Sequence, residues 1–164
     1  MKLTLDVENT TTKRNDKLHL DPFEPTNTLT MVGMLSDSGE EEIVTFDHSE
    51  QDETPNGHAI VQRWLDDTTV LICHNANHDL LWLWECGFTY DGPVFDTMLT
   101  EYVIQRGQKQ PLSLEACAER YELDTKKQDT LKEYFKKGYT TRDIPHSELS
   151  EYLLHDLHAT QQLA

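Results

Sequence analysis

The chain has 164 residues, a net charge of -16 at neutral pH, 37% apolar residues and a mean hydropathy of -0.65. That length fits one compact domain, so residues 1–164 are read as a single unit. The charge excludes a broad basic surface that grips nucleic acid along many phosphates, and no apolar run is long enough to span a membrane.

The N-terminus lacks a charged-then-apolar signal pattern, so a soluble protein of the cytoplasm is expected. Cys73, Cys86 and Cys117 are odd in number and lie among apolar residues. Buried, reduced thiols are expected, and no Cys-x-x-Cys pair points to zinc. Acidic runs such as Glu40-Glu41-Glu42 and Asp66-Asp67 read as solubilising surface.

The chain opens on Lys2-Leu3-Thr4-Leu5-Asp6-Val7-Glu8. Leu3, Leu5 and Val7 alternate with Thr4, Asp6 and Glu8, which predicts a strand with one apolar and one acidic face. A strand so near the N-terminus with a buried face is expected at the centre of a sheet. Two carboxylates on one side of a strand raise each other's pKa unless a cation lies between them. Asp6 and Glu8 are therefore either half of a metal site or the acidic outer face of a half-exposed strand. Residues 9–25 read as a long, polar, proline-bearing irregular loop. Residues 28–35 and 43–46 read as two strands of a hairpin about the turn Ser36-Asp37-Ser38-Gly39. An acidic loop over 47–56 leads to a helix over 57–66. The unbroken apolar run 69–73 predicts a strand buried on both faces. Beyond it, 80–84 is helical, Val94-Phe95 is extended, and helices follow over 97–104, 111–121 and 126–137. Leu112, Leu114, Ala118 and Tyr121 are the expected inner positions of the 111–121 helix. Pro145 opens a last helix to the C-terminus. Early strands, late helices and one strand-helix alternation predict an α/β fold, a mixed sheet covered by helices.

The last helix carries a particular pattern. At about 100° per residue, Leu149, Leu153, Leu157, Thr160 and Leu163 form one stripe, with Glu151, His155, His158 and Gln162 opposite. Asp156 falls within the apolar stripe, and Tyr152 lies at its edge one turn earlier. A carboxylate on a core-facing stripe is costly unless something satisfies it. The helix offers no Lys or Arg three or four residues away, which leaves a metal ion or a wet groove. His155 and His158 have a zinc-like spacing but stand on the polar face and read as solvated.

His74-Asn75-Ala76-Asn77-His78-Asp79 follows the buried 69–73 strand, and ligands of such sheets bind where strands end. Asp79 is either a ligand there or a charge favoured by the N-terminus of a helix capped by Asn77. His74 and Asn75 are likewise either site residues or turn residues.

In order along the chain stand Asp6-x-Glu8, His74-Asn75-x-x-x-Asp79 and Tyr152-x-x-x-Asp156. Together they resemble the three exonuclease motifs of the DEDD superfamily. The match is to its tyrosine branch, which includes the proofreading domains of family A DNA polymerases and the RNase D-like exoribonucleases. The histidine branch needs His five residues before the last Asp, where this chain has Glu151. Asp96-Thr97 and Ser113-Leu114-Glu115 also resemble connecting segments of that family.

The resemblance covers nearly the whole chain and implies an RNase H-like exonuclease fold. It implies a 3′-5′ exonuclease that removes nucleoside 5′-monophosphates from the 3′ end of single-stranded or frayed DNA. An exoribonuclease, or a non-catalytic acidic interaction module with the same fold, are the alternatives. Asp6, Glu8, Asp79 and Asp156 would hold two divalent ions, Asp79 partly through water, and Tyr152 would orient the attacking water. Asn75 and the backbone near Asn9 and Thr10 would touch the terminal nucleotide. All-oxygen ligation selects Mg²⁺ or Mn²⁺. The family's first motif commonly continues Thr-Thr-Gly, whereas this chain has Asn9-Thr10-Thr11 and then a long loop. Lys13, Arg14, Lys17 or the lysines of 126–137 would add local phosphate contacts, or the latter form a solvated helix face. The chain ends just past the third motif, as expected of a separate proofreading subunit, such as a virus would encode, or of a domain excised from a DNA polymerase.

Overall fold

The computed structural model describes residues 1–123 and 128–164, the side chains of 128–130 excepted. In chain order the elements are β1 (Lys2–Asn9), β2 (Thr12–Arg14), β3 (Lys17–His19), β4 (Leu29–Ser36), β5 (Glu41–Thr45), α1 (Gly57–Asp66), β6 (Val70–Cys73), α2 (Ala76–Glu85), β7 (Val94–Asp96), α3 (Thr97–Gln105), α4 (Leu114–Arg120), α5 (Gln128–Lys136) and α6 (His146–Leu163). One mixed sheet has the strand order β5-β4-β1-β6-β7. Strand β1 is its centre, as the alternating N-terminus predicts. It pairs antiparallel with β4 and parallel with β6.

Burial explains the arrangement. Leu3, Leu5 and Val7 join Val32, Met34, Leu71 and Cys73 in a core closed by Val61, Leu65, Trp82 and Leu83 of α1 and α2. The opposite face of β1, with Thr4, Asp6 and Glu8, lies under α6. Leu149, Leu153 and Leu157 of α6 are fully buried, each contributing about 2 kcal/mol of apolar burial. The acidic face of β1 is therefore partly covered by a helix: Thr4 is buried, and Asp6 and Glu8 are half-buried.

Gly33 sets how closely that helix approaches. It faces Asp6 in the β1–β4 ladder. A Cβ there would lie 2.8 Å from Leu157 Cδ1 and 2.9 Å from Leu153 Cγ. A strand glycine at such a place marks close packing of another element.

Several sequence expectations shift. Within 9–25, β2 and β3 form a hairpin instead of irregular loop. Its turn residues Asn15 and Asp16 have φ of 51° and 60°, the paired left-handed geometry that Asn and Asp tolerate. The helix expected over 111–121 is confined to α4, because the Ser113 hydroxyl accepts the Ala116 N–H at 3.1 Å and starts it there. Cys117 and Ala118 face inward, while Tyr121, just past the helix end, is 48% exposed. Cys86 is half-buried rather than buried, although all three cysteines are free thiols. Of the helix expected over 126–137, residues 126 and 127 lie outside the described residues. No described helix is long and apolar enough to cross a membrane.

Candidate active site

Strand β1 presents Asp6 and Glu8 to α6, and α6 brings Asp156 down onto them. One carboxylate oxygen from each lies within 4.8 Å of the other two. Tyr152, one turn before Asp156, is half-buried and hydrogen-bonded to the Asp156 carboxylate. Asp79 stands beside this group from the first turn of α2. It is 1% exposed, so it is no solvated first-turn charge. Its Oδ1 accepts the Val7 N–H at 3.1 Å, and the Cys73 thiol donates to its carboxylate.

Crowding and burial shift Asp6, Glu8, Asp79 and Tyr152 in one direction. Burial pushes the Asp6 carboxyl up to about 7, against a Val7 N–H that lowers it. Glu8 rises well above the usual carboxylate range through burial, then through the charges of Asp6, Asp156 and Asp79. Asp79 rises through burial and Asp6, opposed by its bonds to Val7 and Cys73. Burial, then the carboxylates, raise the Tyr152 hydroxyl as well, so it stays protonated. A divalent cation among these oxygens would reverse every carboxylate shift. The all-oxygen donor set suits hard ions such as Mg²⁺ or Mn²⁺, so the residues present fit such an ion.

The surrounding residues form a frame. Helix α2 starts at Ala76, earlier than the 80–84 run implies, and Asn77 lies inside its first turn instead of capping it. Asp96 does the capping: it accepts the N–H of Asn75 at 3.0 Å and of Ala76 at 2.9 Å. The same carboxylate accepts the Met98 N–H of α3 at 2.9 Å, so one side chain fixes two helix starts. His74 links the Thr97 hydroxyl and the Leu112 carbonyl, each at 2.8 Å, and burial lowers its pKa.

Asn9 and Thr10 are buried and engaged in holding the β2–β3 insert. Asn9 Nδ2 donates to the carbonyls of Thr10 and Leu20, and its Oδ1 lies 2.9 Å from His78 Nε2. The Thr10 hydroxyl accepts the Thr28 N–H at 2.8 Å, and the Thr10 N–H donates back to Thr28 O. The Asn75 side chain makes no cap bond. It borders a groove of about 290 Å³ between α2 and the insert, walled by Leu18, Leu20, Pro22 and Leu81. Arg14 is tied to Glu24 at 2.9 Å. His155 and His158 are not members of the carboxylate group. His158 pairs instead with Glu41 at 3.0 Å.

Sequence reasoning missed Gly33, Cys73 and the double cap by Asp96. A glycine inside an apolar strand and an Asp just before a helix are the signals that were there to be used.

A mixed sheet with acids converging from its central strand and its C-terminal helix, and a further acid beside them, is an RNase H-like exonuclease architecture. The chain belongs to the 3′-5′ exonuclease family of the DNA polymerase A type, whose family model matches residues 20–164. None of the curated proteins matches it in sequence. Among solved structures it is similar to Brucella melitensis NrnC, with 19% identity and a TM-score of 0.64 over 99% of this chain and 69% of that one. NrnC is also solved with bound Mg²⁺ and bound to pGG. The POL domain of Pol1 from M. smegmatis is similar at 18% identity and a TM-score of 0.58, over 98% of this chain and 23% of that one. The family B DNA polymerase of Pyrobaculum calidifontis is similar at 17% identity and a TM-score of 0.65, over 99% of this chain and 24% of that one.

Proposed function

We propose that this protein hydrolyses the last phosphodiester bond at the 3′ end of single-stranded or frayed DNA and releases nucleoside 5′-monophosphates. The observation that carries the reading is the convergence of Asp6, Glu8 and Asp156, with Asp79 beside them, in a chain of the 3′-5′ exonuclease family. These four acids would hold two divalent ions, Mg²⁺ or Mn²⁺. Bound there, the ions would activate a water and stabilise the leaving 3′-oxygen. Tyr152, kept protonated by its surroundings, orients that water through its hydroxyl. Asn75, at the mouth of the groove beside α2, contacts the terminal nucleotide. Asn9 and Thr10 act on the nucleotide mainly from behind, by fixing His78 and the insert that walls the groove. In the cytoplasm, beside a DNA polymerase, such an activity would proofread.

A second reading is cleavage of short oligonucleotides, RNA included. The likeness to NrnC, which has been solved bound to pGG, favours it. Long strands of DNA and RNA with one sequence and a 5′ label, together with their dinucleotides, separate the two in Mg²⁺, Mn²⁺ or EDTA. The proposal expects a one-nucleotide ladder receding from the 3′ end, faster on the DNA strand, and no reaction in EDTA. A faster reaction on RNA or on the dinucleotides replaces it with the second reading. No product from any substrate in either metal overturns both.

A further inference from the structure

Charge is unevenly spread along this chain. Residues 126–142 carry Lys126, Lys127, Lys132, Lys136, Lys137 and Arg142 against Asp129 and Glu133, a local net of +4 in a chain of -16. Two of these cations are already engaged: Lys132 with Glu115 and Arg142 with Asp47, each at 2.8 Å. Lys136 and Lys137 are exposed at the end of α5 and form no ion pair among the described residues.

Aromatic rings share that helix end. Gly138, at φ 86°, closes α5. Its N–H reaches Phe135 O and the Tyr139 N–H reaches Tyr134 O, both at 3.1 Å. This Schellman turn folds Tyr139 back onto Tyr134, with ring centroids 5.5 Å apart and an interplanar angle of 23°. A ring contact of that kind ordinarily accompanies the turn. Here it also leaves Tyr139 45% exposed, close in sequence to Phe135 at 47% and to Lys136 and Lys137.

The platform is tied to the carboxylates. The Tyr134 hydroxyl bonds Glu148 of α6. Tyr134 and Tyr152 both pack on the cluster of Met31, Leu149 and Leu153. Glu148, Tyr152 and Asp156 follow at intervals of about one turn, so roughly 12 Å of helix axis separates the first from the last. That distance is roughly three or four stacked bases at 3.4 Å each.

We infer that the C-terminal end of α5 is a landing for the strand 5′ of the terminal nucleotide. Its bases stack on the Tyr134–Tyr139 pair and its phosphates meet Lys136 and Lys137. The inference rests on the exonuclease reading and names the substrate more closely: single strands longer than a dinucleotide. Charge complementarity is the reason. A strand leaving the carboxylates of a chain of net charge -16 needs local positive charge, and the exposed Lys136 and Lys137 supply it. Aromatic stacking adds grip with little sequence preference, as an exonuclease that removes every base requires.

Lys136→Glu combined with Lys137→Glu tests the landing, since both positions are exposed and the fold does not rest on them. Tyr139→Ala, with Tyr139→Trp as its rescue, tests the stacking. The substrates are oligothymidylate and the p-nitrophenyl ester of thymidine 5′-monophosphate, which needs only the carboxylate site. For the double variant, the expected result is a KM on the strand raised about tenfold, with kcat within about twofold. Its salt slope should be shallower by about one to two phosphate contacts. The strand-to-ester KM ratio should rise for Tyr139→Ala and return toward wild type in Tyr139→Trp. An active wild type whose variants keep that ratio unchanged overturns the inference alone. A wild type inactive on both substrates overturns the exonuclease reading and the inference with it.

Discussion

Replacing Asp6 by asparagine keeps the size of the side chain and removes its charge. Burial lifts the Asp6 carboxyl from 3.8 to about 7. In the unfolded chain it therefore ionises early, and in the folded chain late. Between those two values the native state holds more protons than the unfolded state, so stability falls as pH rises. The cost is absent below the unfolded pKa and complete above the folded one. One pKa unit is about 1.4 kcal/mol, so the full span is roughly 4 kcal/mol. Partial exposure and the shared protons of the cluster reduce it to roughly 2–3 kcal/mol. The Asp6→Asn side chain has no such proton to lose. In EDTA the variant should match wild type near about pH 4 and melt higher at about pH 7.5. For a domain of this size the gap should reach roughly 5–10 °C. Adding Mg²⁺ should reverse the order, because only wild type gains a bound ion. Calorimetric melting across a pH series reads both effects. A gap that stays constant with pH in EDTA, or a variant that melts below wild type at the upper end, refutes the account of a crowded acid cluster.

On α6, Asp156→Ala should lower kcat by more than about a thousandfold and Tyr152→Phe by about ten- to a hundredfold, with Mg²⁺ affinity retained only in the latter. His155→Ala should stay within about twofold; if it abolishes turnover instead, the roles assigned along this helix are wrong. Gly33→Ala should cost about 1–3 kcal/mol, since its Cβ meets Leu153 and Leu157 at under 3 Å, and should lower activity by lifting α6 from Asp6. An unchanged melting temperature would contradict the close approach of α6 to β4.

Much of this organisation was legible in the chain because two elements carry strong periods. The alternation of Leu3, Leu5 and Val7 places Asp6 and Glu8 on one face whatever the partner strands are. Asp156 stands out because it interrupts a run of leucines that the helical period sends inward. Asp79 was not separable in the same way, since acids in the first turn of a helix are common and favourable. What marks it is tertiary: the Val7 N–H and the Cys73 thiol come from two different strands. The β2–β3 hairpin escaped because its strands are mostly exposed and lack the apolar alternation of a buried sheet. Tyr121 turned outward because α4 ends at Arg120, one residue before it, and its hydroxyl donates to Glu101 at 2.7 Å. Asn9 and Thr10 follow directly on the acidic face of β1, but their hydrogen bonds go to Leu20 and Thr28, contacts that no local pattern encodes.

The most direct measurement takes one DNA sequence as a linear single strand and as a ligated circle, incubated in Mn²⁺ with wild type and with Asp156→Ala. The account predicts that wild type reduces the linear strand to nucleoside 5′-monophosphates and leaves the circle whole, while Asp156→Ala leaves both intact. Nicking of the circle, or full degradation of the linear strand by Asp156→Ala, would contradict it.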